Sequence, residues 1–576
     1  MMRKVLWNLM LIASFILMQS CSSDDGDVTS LKDTQKTSAA TSAVSFDTDV
    51  ETFDFSIDES SLAEQETVPA SDEDYVENTT FTKTVNIVFE EDNVICTGDL
   101  DDQLTFTCSN GHAVITSSAN DTVCYTVSGS TNNGSLTINS ERKLQLRLEG
   151  VSITNPSGAA INIQGKKRVF VVLVDGTENT LVDGSGYSTP KACLFSKGQI
   201  IFSGRGRLKV YGNNKAGIRS SDYIVVRPGV NLSVETTQGN AIKGDDALRI
   251  YGGVINVKVS AAGSKGLSSD GSVLVSGGRT TAIVTGASVY DSETAEISGS
   301  ACVKADSTFN MTGGMLYLKN TGKGGKGISV DQDAYFSGGS ARIITTGSTY
   351  KYGSDDSKAK GIKADGNITF SGGALKVRTT GGDGCEGIEA KNVFTITNGS
   401  IAALAYDDAI NSGSHLYIKG GTMYAHSTGN DGLDANGNLY VQGGNTVAYG
   451  SRAPECGIDA NEEQNFTCYF TGGNLFAIGG GNSTPSNSTS SQAYLSTSGS
   501  VSKGSVVAVF KDDALMASFS LPASYSGGSI LFTVNGMSAG NEYTFSIDDA
   551  STTLTATQYG SSRMGGGGNP PGGGRR

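Results

Sequence analysis

The sequence is poor in two residue types on which many enzymes and sugar-binding proteins rely. Its one tryptophan, Trp7, lies near the start of the chain, and its three histidines are His112, His415 and His426. None of these histidines lies in a recognisable nucleophile or zinc motif, so serine–histidine hydrolysis and zinc chemistry have no support. Stacking on tryptophan platforms, which is common in binders of neutral glycans, is excluded for a mature chain that lacks Trp7.

Positive charge is also scarce. The chain has 43 Lys and Arg against 58 Asp and Glu, a formal net charge of −15. Nucleic acids and anionic membrane surfaces both need a basic footprint, so neither is an expected partner. Nine cysteines are scattered along the chain and form no dense framework. Eight of them follow Cys21, where burial as free thiols is as plausible as disulfide bonding, so their connectivity stays open.

Long hydrophobic runs are absent except at the start of the chain. Arg3 and Lys4 precede an apolar stretch over residues 5–18, which has the length of a secretory signal and is too short for a membrane-spanning helix. Cys21 follows at once, in an order that resembles a bacterial lipoprotein cleavage site. We therefore expect residues 1–20 to be a lipoprotein signal peptide, Cys21 to be lipidated, and the protein to be an outer-membrane lipoprotein exposed at the cell surface. The lipid would be its only membrane contact.

Composition divides the rest of the chain. Residues 21–79 are rich in Ser, Thr, Asp and Glu and predict a disordered acidic tether. Residues 560–576 are rich in glycine and predict a disordered tail. Between them, residues 80–495 predict one repetitive domain with an N-terminal cap, and residues 496–559, where the repeat breaks, predict a small antiparallel β cap or module.

Apolar residues recur through the middle of the chain at intervals of 22 to 36 residues. Self-similarity at this period indicates a solenoid, whose units bury their apolar faces only by stacking. Within one unit, short alternating strands are separated by an Asp-Gly turn and a Gly-Gly corner. The pattern therefore predicts an all-β fold, a right-handed parallel β-helix of about twelve coils. The twelve anchors are Ile161, Leu194, Ile218, Ile242, Leu267, Val303, Ile328, Ile362, Ile388, Ile410, Leu433 and Ile458.

Acidic residues gather beside the last four anchors. Outward-facing residues at the same position of successive coils stack in a column, and these acids fall in neighbouring columns on consecutive coils. Stacked carboxylates repel one another unless a cation neutralises them. Carboxylates about 4.8 Å apart on adjacent coils can share one calcium ion, which takes oxygen ligands. The alternative is an acidic solvated face on an acidic protein. The sequence thus predicts a Ca²⁺ site among Glu386, Glu389, Asp407, Asp408, Asp431, Asp434 and Asp459.

Basic residues occupy the same columns in the earlier coils. Lys243, Lys304 and Lys363 each follow an anchor and are candidate contacts for carboxylates of a ligand. Aspartates in a neighbouring column, Asp245 to Asp365, are instead expected to be turn residues that these lysines neutralise. Longer intervals around residues 175–191, 286–299 and 347–358 fall at one corner and predict a ridge that walls a groove, with tolerated surface insertion as the alternative.

The sequence resembles calcium-binding, right-handed parallel β-helix proteins that bind polysaccharide and look like pectate lyases. The resemblance covers roughly residues 80–550 and rests on residues 171–181, 194–198 and 217–220 and on the repeated Gly-Ile-x-Ala-Asp and Asp-Gly-Leu-Asp turns. It implies extracellular binding of an acidic, uronate-containing or cellulose-like polysaccharide, with acidic ligands for calcium. A calcium-dependent polysaccharide lyase, with a Lys or Arg as base, and a structural surface rod or adhesin without glycan affinity are the alternatives.

Overall fold

The computed structural model describes residues 29–51, 67–69, 71–118 and 120–560, and most of them form a parallel β-solenoid. One side of the solenoid, which we call face 1, is a 15-stranded sheet. It is parallel except for an antiparallel hairpin at its first edge. Its strands are Leu104–Ser109, His112–Ser117, Ser135–Ser140, Ile161–Ile163, Ala192–Ser196, Ala216–Ser220, Ile242–Gly244, Lys265–Ser269, Ala301–Ala305, Lys326–Val330, Lys360–Ala364, Ile388–Ala390, Ile410–Ser412, Leu433–Ala435 and Ile458–Ala460.

The twelve predicted anchors pair with one another in unbroken register along face 1, from Ile161 to Ile458. All are buried, which confirms the predicted parallel β-solenoid. The sheet is longer than the twelve predicted coils because it starts earlier. Leu136 pairs with Ile161 and Ala113 pairs with Leu136, so regular turns occupy part of the stretch expected only to cap the domain.

The other two sides of the solenoid, faces 2 and 3, complete each turn. Face 2 contains Val169–Leu173, Ile200–Gly204, Tyr223–Val226, Ala247–Ile250, Ser272–Val275, Phe309–Met311 and Phe394–Ile396. Face 3 contains Glu178–Asp183, Arg207–Gly212, Asn231–Thr236, Val254–Val259, Arg279–Val284, Met315–Asn320 and Ser400–Ala405. Longer strands bend from face 2 onto face 3: Lys83–Glu90, Val123–Thr131, Leu144–Asn155, Ala334–Thr345, Ile368–Thr379, Leu416–Ser427, Leu439–Tyr449 and Cys468–Gly479.

The corner between faces 2 and 3 explains the repeated Gly-Gly pair. Its second glycine has positive φ on successive turns, for example +78° at Gly339 and +87° at Gly373. A Cβ atom added at Gly373 would also lie 2.6 Å from the carbonyl oxygen of Gly339 on the turn before. Glycine is therefore required here by both backbone conformation and the close approach of stacked turns.

Antiparallel strands close both ends of the solenoid. At the first end Asn93–Gly98 pairs with Lys83–Glu90. At the other end Tyr525–Thr533 pairs with both Cys468–Gly479 and Tyr494–Val501, and it ends the parallel stacking. A separate five-stranded antiparallel sheet, the C-terminal module, contains Thr29–Ser30, Ala550–Thr555, Glu542–Ile547, Val506–Lys511 and Ala514–Ser520 in that order. Capping removes the exposed strand edges that an open solenoid would have.

The N-terminal segment differs from the disordered tether that the sequence predicts over residues 21–79. Thr29–Ser30 is an edge strand of the C-terminal module, and the helix Asp33–Ser42 packs on that module. The ring of Phe46 then lies 6.1 Å from that of Phe519. Further along, Val76–Asn78 forms a short 3₁₀ helix, as Glu462–Gln464 does. A few apolar side chains and ion pairs are enough to order these stretches, although their composition is polar.

Two of the three predicted insertions are β-hairpins. Val289–Asp291 pairs with Glu296–Ser298, and Tyr350–Tyr352 pairs with Asp355–Ser357. The predicted insertion over residues 175–191 is shorter than expected, since it contains the regular strand Glu178–Asp183. All eight cysteines of the described residues are free thiols. Among the described residues, no helix combines the length and the apolar character needed to cross a membrane. The predicted signal peptide, Cys21 and residues 561–576 of the predicted tail lie outside the described residues.

Candidate functional site

Three aspartates converge on the outer side of face 1 near the end of the solenoid. Asp434 and Asp459 are in register on adjacent turns, and Asp431 precedes the strand that carries Asp434. One carboxylate oxygen from each of the three lies within 4.8 Å of the others. We call this set the aspartate cluster. Parallel stacking produces it, because the turn sequence around each anchor repeats in register.

Burial makes the negative charge of this cluster costly. It raises the pKa of Asp431 to about 8 and that of Asp434 to about 7, and the neighbouring carboxylates add to both shifts. Asp408, on the preceding turn, has its pKa raised well above the usual range, first by burial and then by Asp434. Within the described part of the chain, no Lys or Arg forms an ion pair with Asp408, Asp431 or Asp434.

Neutral donors orient these carboxylates. The side-chain amide of Asn411 donates to Asp408 at 3.1 Å and to Asp434 at 2.7 Å. The backbone N–H of Cys456 donates to Asp431, and the hydroxyl of Ser483 donates to Asp459 at 2.9 Å. Carboxylate oxygens held in place on adjacent turns are the donor set that calcium prefers. The residues present therefore fit a hard divalent cation, which would also relieve the repulsion among them.

Two of the seven acids predicted as calcium ligands are instead engaged by a lysine. The ammonium of Lys360 lies 2.8 Å from Glu386 and 2.6 Å from Glu389, and all three side chains are buried. Lys391 also contacts Glu389. The side chain of Lys360 extends from the preceding turn and pairs with both glutamates. These glutamates form a buried ion-pair group beside the aspartate cluster.

Asp407, the remaining predicted ligand, stabilises turns. Its carboxylate accepts hydrogen bonds from the backbone N–H of Gly384 and, at 2.7 Å, from the side-chain amide of Asn430. These contacts join three consecutive turns. Asp407 thus joins neighbouring turns and is not one of the three residues of the aspartate cluster.

The three lysines predicted to contact a ligand are already paired with the aspartates beside them. Lys243 lies 2.6 Å from Asp270, Lys363 lies 2.6 Å from Asp365, and Lys304 lies 3.0 Å from Asp306. This pairing agrees with the expectation that lysines neutralise the earlier aspartate column. A carboxylate of a ligand would have to compete with these aspartates, so the role of the three lysines in binding stays a prediction.

The inserted hairpins contact two lysines of face 1, Lys265 and Lys326. The ammonium of Lys326 donates to Gly324 O at 3.0 Å and contacts the hydroxyl of Ser357 in the second hairpin. Lys265 makes the equivalent contact with Ser298 of the first hairpin, at 3.1 Å. Burial lowers the pKa of Lys326 to about 8. The hairpins are thus anchored at their bases by partly buried lysines.

Aromatic side chains form two groups that the sequence analysis missed. Tyr290 and Tyr352, one from each hairpin, stack with ring centroids 3.9 Å apart, and Tyr352 is 50% exposed. On face 2, Tyr417, Tyr440 and Tyr469 stack in a ladder with spacings of 4.6 and 4.8 Å. The recurrence of tyrosine seven residues after the anchors Ile410 and Leu433 was the signal available for the ladder.

The chain matches one family model and is similar to a curated protein and to a solved structure. A family model described as carbohydrate-binding domain-containing protein matches residues 109–384, 300–432 and 381–536. A carbohydrate-binding domain-containing protein of Acetivibrio thermocellus is 33% identical over 120 aligned residues, and the match covers 19% of this chain. The match covers 42% of that relative. A solved structure of the polysaccharide lyase-like protein from C. thermocellum, a gadolinium derivative, is 25% identical and covers 54% of this chain and 96% of its own, with a TM-score of 0.29.

Proposed function

This chain belongs to the family of carbohydrate-binding domain-containing proteins, and we propose that it binds an acidic polysaccharide with calcium held on the outside of its solenoid. Family membership supports glycan binding in general. The observation that carries the calcium part is the aspartate cluster, in which Asp431, Asp434 and Asp459 present oxygens within 4.8 Å of one another.

The chemistry of the cluster favours calcium over other metals. The contributing side chains are carboxylates, which accept hydrogen bonds from the amide of Asn411 and the hydroxyl of Ser483, and no imidazole or thiolate is among the three residues. Hard oxygen ligands suit calcium, whereas zinc and copper select nitrogen and sulfur. Asp408 lies next to the cluster and would add a further carboxylate or bind through water.

Calcium would reconcile an acidic protein with an acidic ligand. A formal charge of −15 repels a polyuronate, and a cation shared between protein and ligand carboxylates removes that repulsion locally. Shared calcium would therefore allow this acidic part of face 1 to bind an anionic polysaccharide.

The proposal includes a cell-surface location through a lipid on Cys21. Seven residues lie between Cys21 and Thr29, so the eight residue-to-residue steps that join them cannot span more than about 29 Å. Because Thr29–Ser30 is an edge strand of the C-terminal module, a lipid on Cys21 would keep that module close to the membrane. The opposite end of the solenoid would then point away from the cell, unlike the arrangement that a long flexible tether would give.

Affinity electrophoresis of a soluble Cys21→Ser form tests the binding proposal. Gels containing polygalacturonate or a neutral cellulose derivative are run with calcium or with EDTA. We expect polygalacturonate to retard the migration of the protein in the presence of calcium. The Asp431→Asn/Asp434→Asn variant should not be retarded. Asp92 and Asp102 are exposed and lie elsewhere, so their double Asn variant is the control for the same charge change.

The alternatives give different results in the same experiment. Ultraviolet absorbance of unsaturated products during incubation with polygalacturonate would indicate a lyase. Absence of retardation in every gel, together with stabilisation by calcium, would indicate a structural rod and contradict the proposal.

A further inference from the structure

A cluster of basic residues lies at the opposite end of the solenoid, at the corner between faces 1 and 2. Leu144, Val169 and Ile200 are in register on three consecutive turns, and the residues just before each of them form the corner. Successive turns are about 4.8 Å apart, so the cations form a dense patch on a chain whose net charge is negative. We call this set the basic corner; its cations are Arg142, Lys143, Lys166, Lys167, Arg168 and Lys197.

A cleft of about 550 Å³ lies along the basic corner. Five of its lining residues are Lys or Arg, two are glutamates, and the others are Asn120, Thr122 and Gln199. No aromatic or aliphatic residue lines it within the described chain, which disfavours nucleotides and lipid acyl chains as ligands. Cations interspersed with amides and a hydroxyl match a ligand that carries both anionic groups and hydroxyls, as an acidic sugar does.

Several of these cations have no carboxylate partner. Lys166 and Lys167 are exposed and form no ion pair in the described part of the chain. The guanidinium of Arg142 donates to the neutral side-chain oxygen of Asn120. Lys243 and Lys363 of face 1, by contrast, are each held by an aspartate. The basic corner is therefore better able than the predicted lysines to take up anionic groups from a ligand.

The protein itself places a carboxylate at this corner. Glu73, from the N-terminal segment, accepts a hydrogen bond from Arg168 at 2.9 Å and lies 3.7 Å from the ammonium of Lys143. Its side chain is 67% exposed, so the contact forms at the surface of the cleft. A carboxylate of a ligand could follow the same geometry on the neighbouring cations.

We propose that the cleft at the basic corner binds the anionic groups of an acidic polysaccharide directly, without calcium. The proposal rests on the polysaccharide-binding function proposed above and adds a second contact region at the far end of the solenoid. Glu73 occupies one of the anionic positions of this region and competes weakly with the ligand. Carboxylated and sulfated glycans share the chemistry required.

The test measures binding of the full Cys21→Ser chain in EDTA, which removes any contribution of calcium. The probes are polygalacturonate for carboxylates, dextran sulfate for sulfates and dextran for neutral sugar. The variant Lys166→Gln/Lys167→Gln removes two unpaired charges. Lys258 and Lys319 are exposed on face 3 and give a control variant, Lys258→Gln/Lys319→Gln, with the same change in net charge.

We expect wild type to bind at least one anionic probe in EDTA, with an affinity that falls as salt rises. The Lys166→Gln/Lys167→Gln variant should bind at least fivefold more weakly, while the face 3 control stays within twofold of wild type. Glu73→Gln should bind about twofold more tightly, because a competing carboxylate is removed; a merely structural role for Glu73 would not increase affinity.

Equal affinities of wild type and the Lys166→Gln/Lys167→Gln variant would overturn the proposal. Equal losses of affinity in this variant and in Lys258→Gln/Lys319→Gln would overturn it as well, because they would show only an effect of net charge. Vesicles of anionic phospholipid serve as a further probe. If the Lys166→Gln/Lys167→Gln variant lost binding to these vesicles but bound both anionic glycans as wild type does, the basic corner would be assigned to lipid headgroups and the proposal overturned. Calcium-dependent binding by wild type without any binding in EDTA would overturn this proposal alone. No binding to any probe with or without calcium would overturn the proposed function as well.

Discussion

Replacing Asp431 by Asn should stabilise the calcium-free protein at neutral pH and reduce its stabilisation by calcium. Burial raises the pKa of Asp431 to about 8 in the folded chain, whereas an unfolded Asp titrates near 3.9. Between these values the folded state holds a proton that the unfolded state has released. The free energy of unfolding therefore falls as pH rises through this window, by up to about 1.4 kcal/mol per pH unit for one such group.

The magnitude follows from the pH interval. From pH 5 to pH 7 the carboxyl of Asp431 should lower the stability of the calcium-free protein by about 2 to 3 kcal/mol. Asn has no proton to release, so the variant should lose less stability over the same interval. Asp434, with its pKa near 7, contributes in the same direction in both proteins. Calcium requires ionised carboxylates, so it should stabilise wild type strongly at pH 8 and little at pH 5.

The assay is urea unfolding followed by circular dichroism at pH 5, 6, 7 and 8, in EDTA and in calcium. Asp92→Asn serves as the control because Asp92 is exposed. At calcium concentrations 1,000-fold above the dissociation constant, wild type should gain about 4 kcal/mol at pH 8. Two results would refute the reasoning. One is a urea midpoint of wild type in EDTA that rises with pH and exceeds that of Asp431→Asn. The other is equal stabilisation of both proteins by calcium.

Three further predictions concern stability and are measured as urea midpoints. Lys360→Met should cost about 3 to 5 kcal/mol, because it leaves the buried Glu386 without a cation and Glu389 with Lys391 alone. Lys323→Ala, at an exposed site, should cost under about 0.5 kcal/mol, and similar values for the two variants would contradict the buried ion-pair group. Gly373→Ala should lower the free energy of unfolding by at least about 1 kcal/mol more than Gly353→Ala does. Both glycines have positive φ, but only a Cβ atom at Gly373 would clash with a neighbouring turn. Equal losses in the two variants would show that φ alone matters. Tyr440→Ala should lose about 1 to 3 kcal/mol because its ring stacks on both sides, and a loss below about 0.5 kcal/mol would show that the ladder adds nothing to stability.

The solenoid was predictable because its repeat is enforced at every turn. An anchor such as Ile388 pairs with Ile362 and Ile410, so one apolar residue in each repeat fixes the register of all three faces. The Gly-Gly corner was equally predictable from the sequence, because positive φ and the close approach of stacked turns leave glycine as the one residue that fits. The first turns were harder to recognise, since Leu136 lies before the stretch in which the glycine signal becomes regular.

The candidate site was only partly predictable, because outward columns interact across turns. The sequence placed Glu386 among the acids, but only the folded chain shows that Lys360 on the preceding turn reaches it. The burial of Lys326 also depends on a hairpin that folds back over face 1. The docking of residues 29–42 depends on contacts with residues about 500 positions away, for which a polar composition gives no local signal.

Titration calorimetry of an oligogalacturonate into the calcium-loaded protein tests the central claim most directly. The salt concentration is set high enough to screen the charges of the basic corner. Under this condition the account predicts saturable binding in calcium and no binding in EDTA. It also predicts at least a tenfold loss of affinity in Asp431→Asn/Asp434→Asn. Binding that is unchanged by EDTA and by this double variant at the same salt concentration would contradict it.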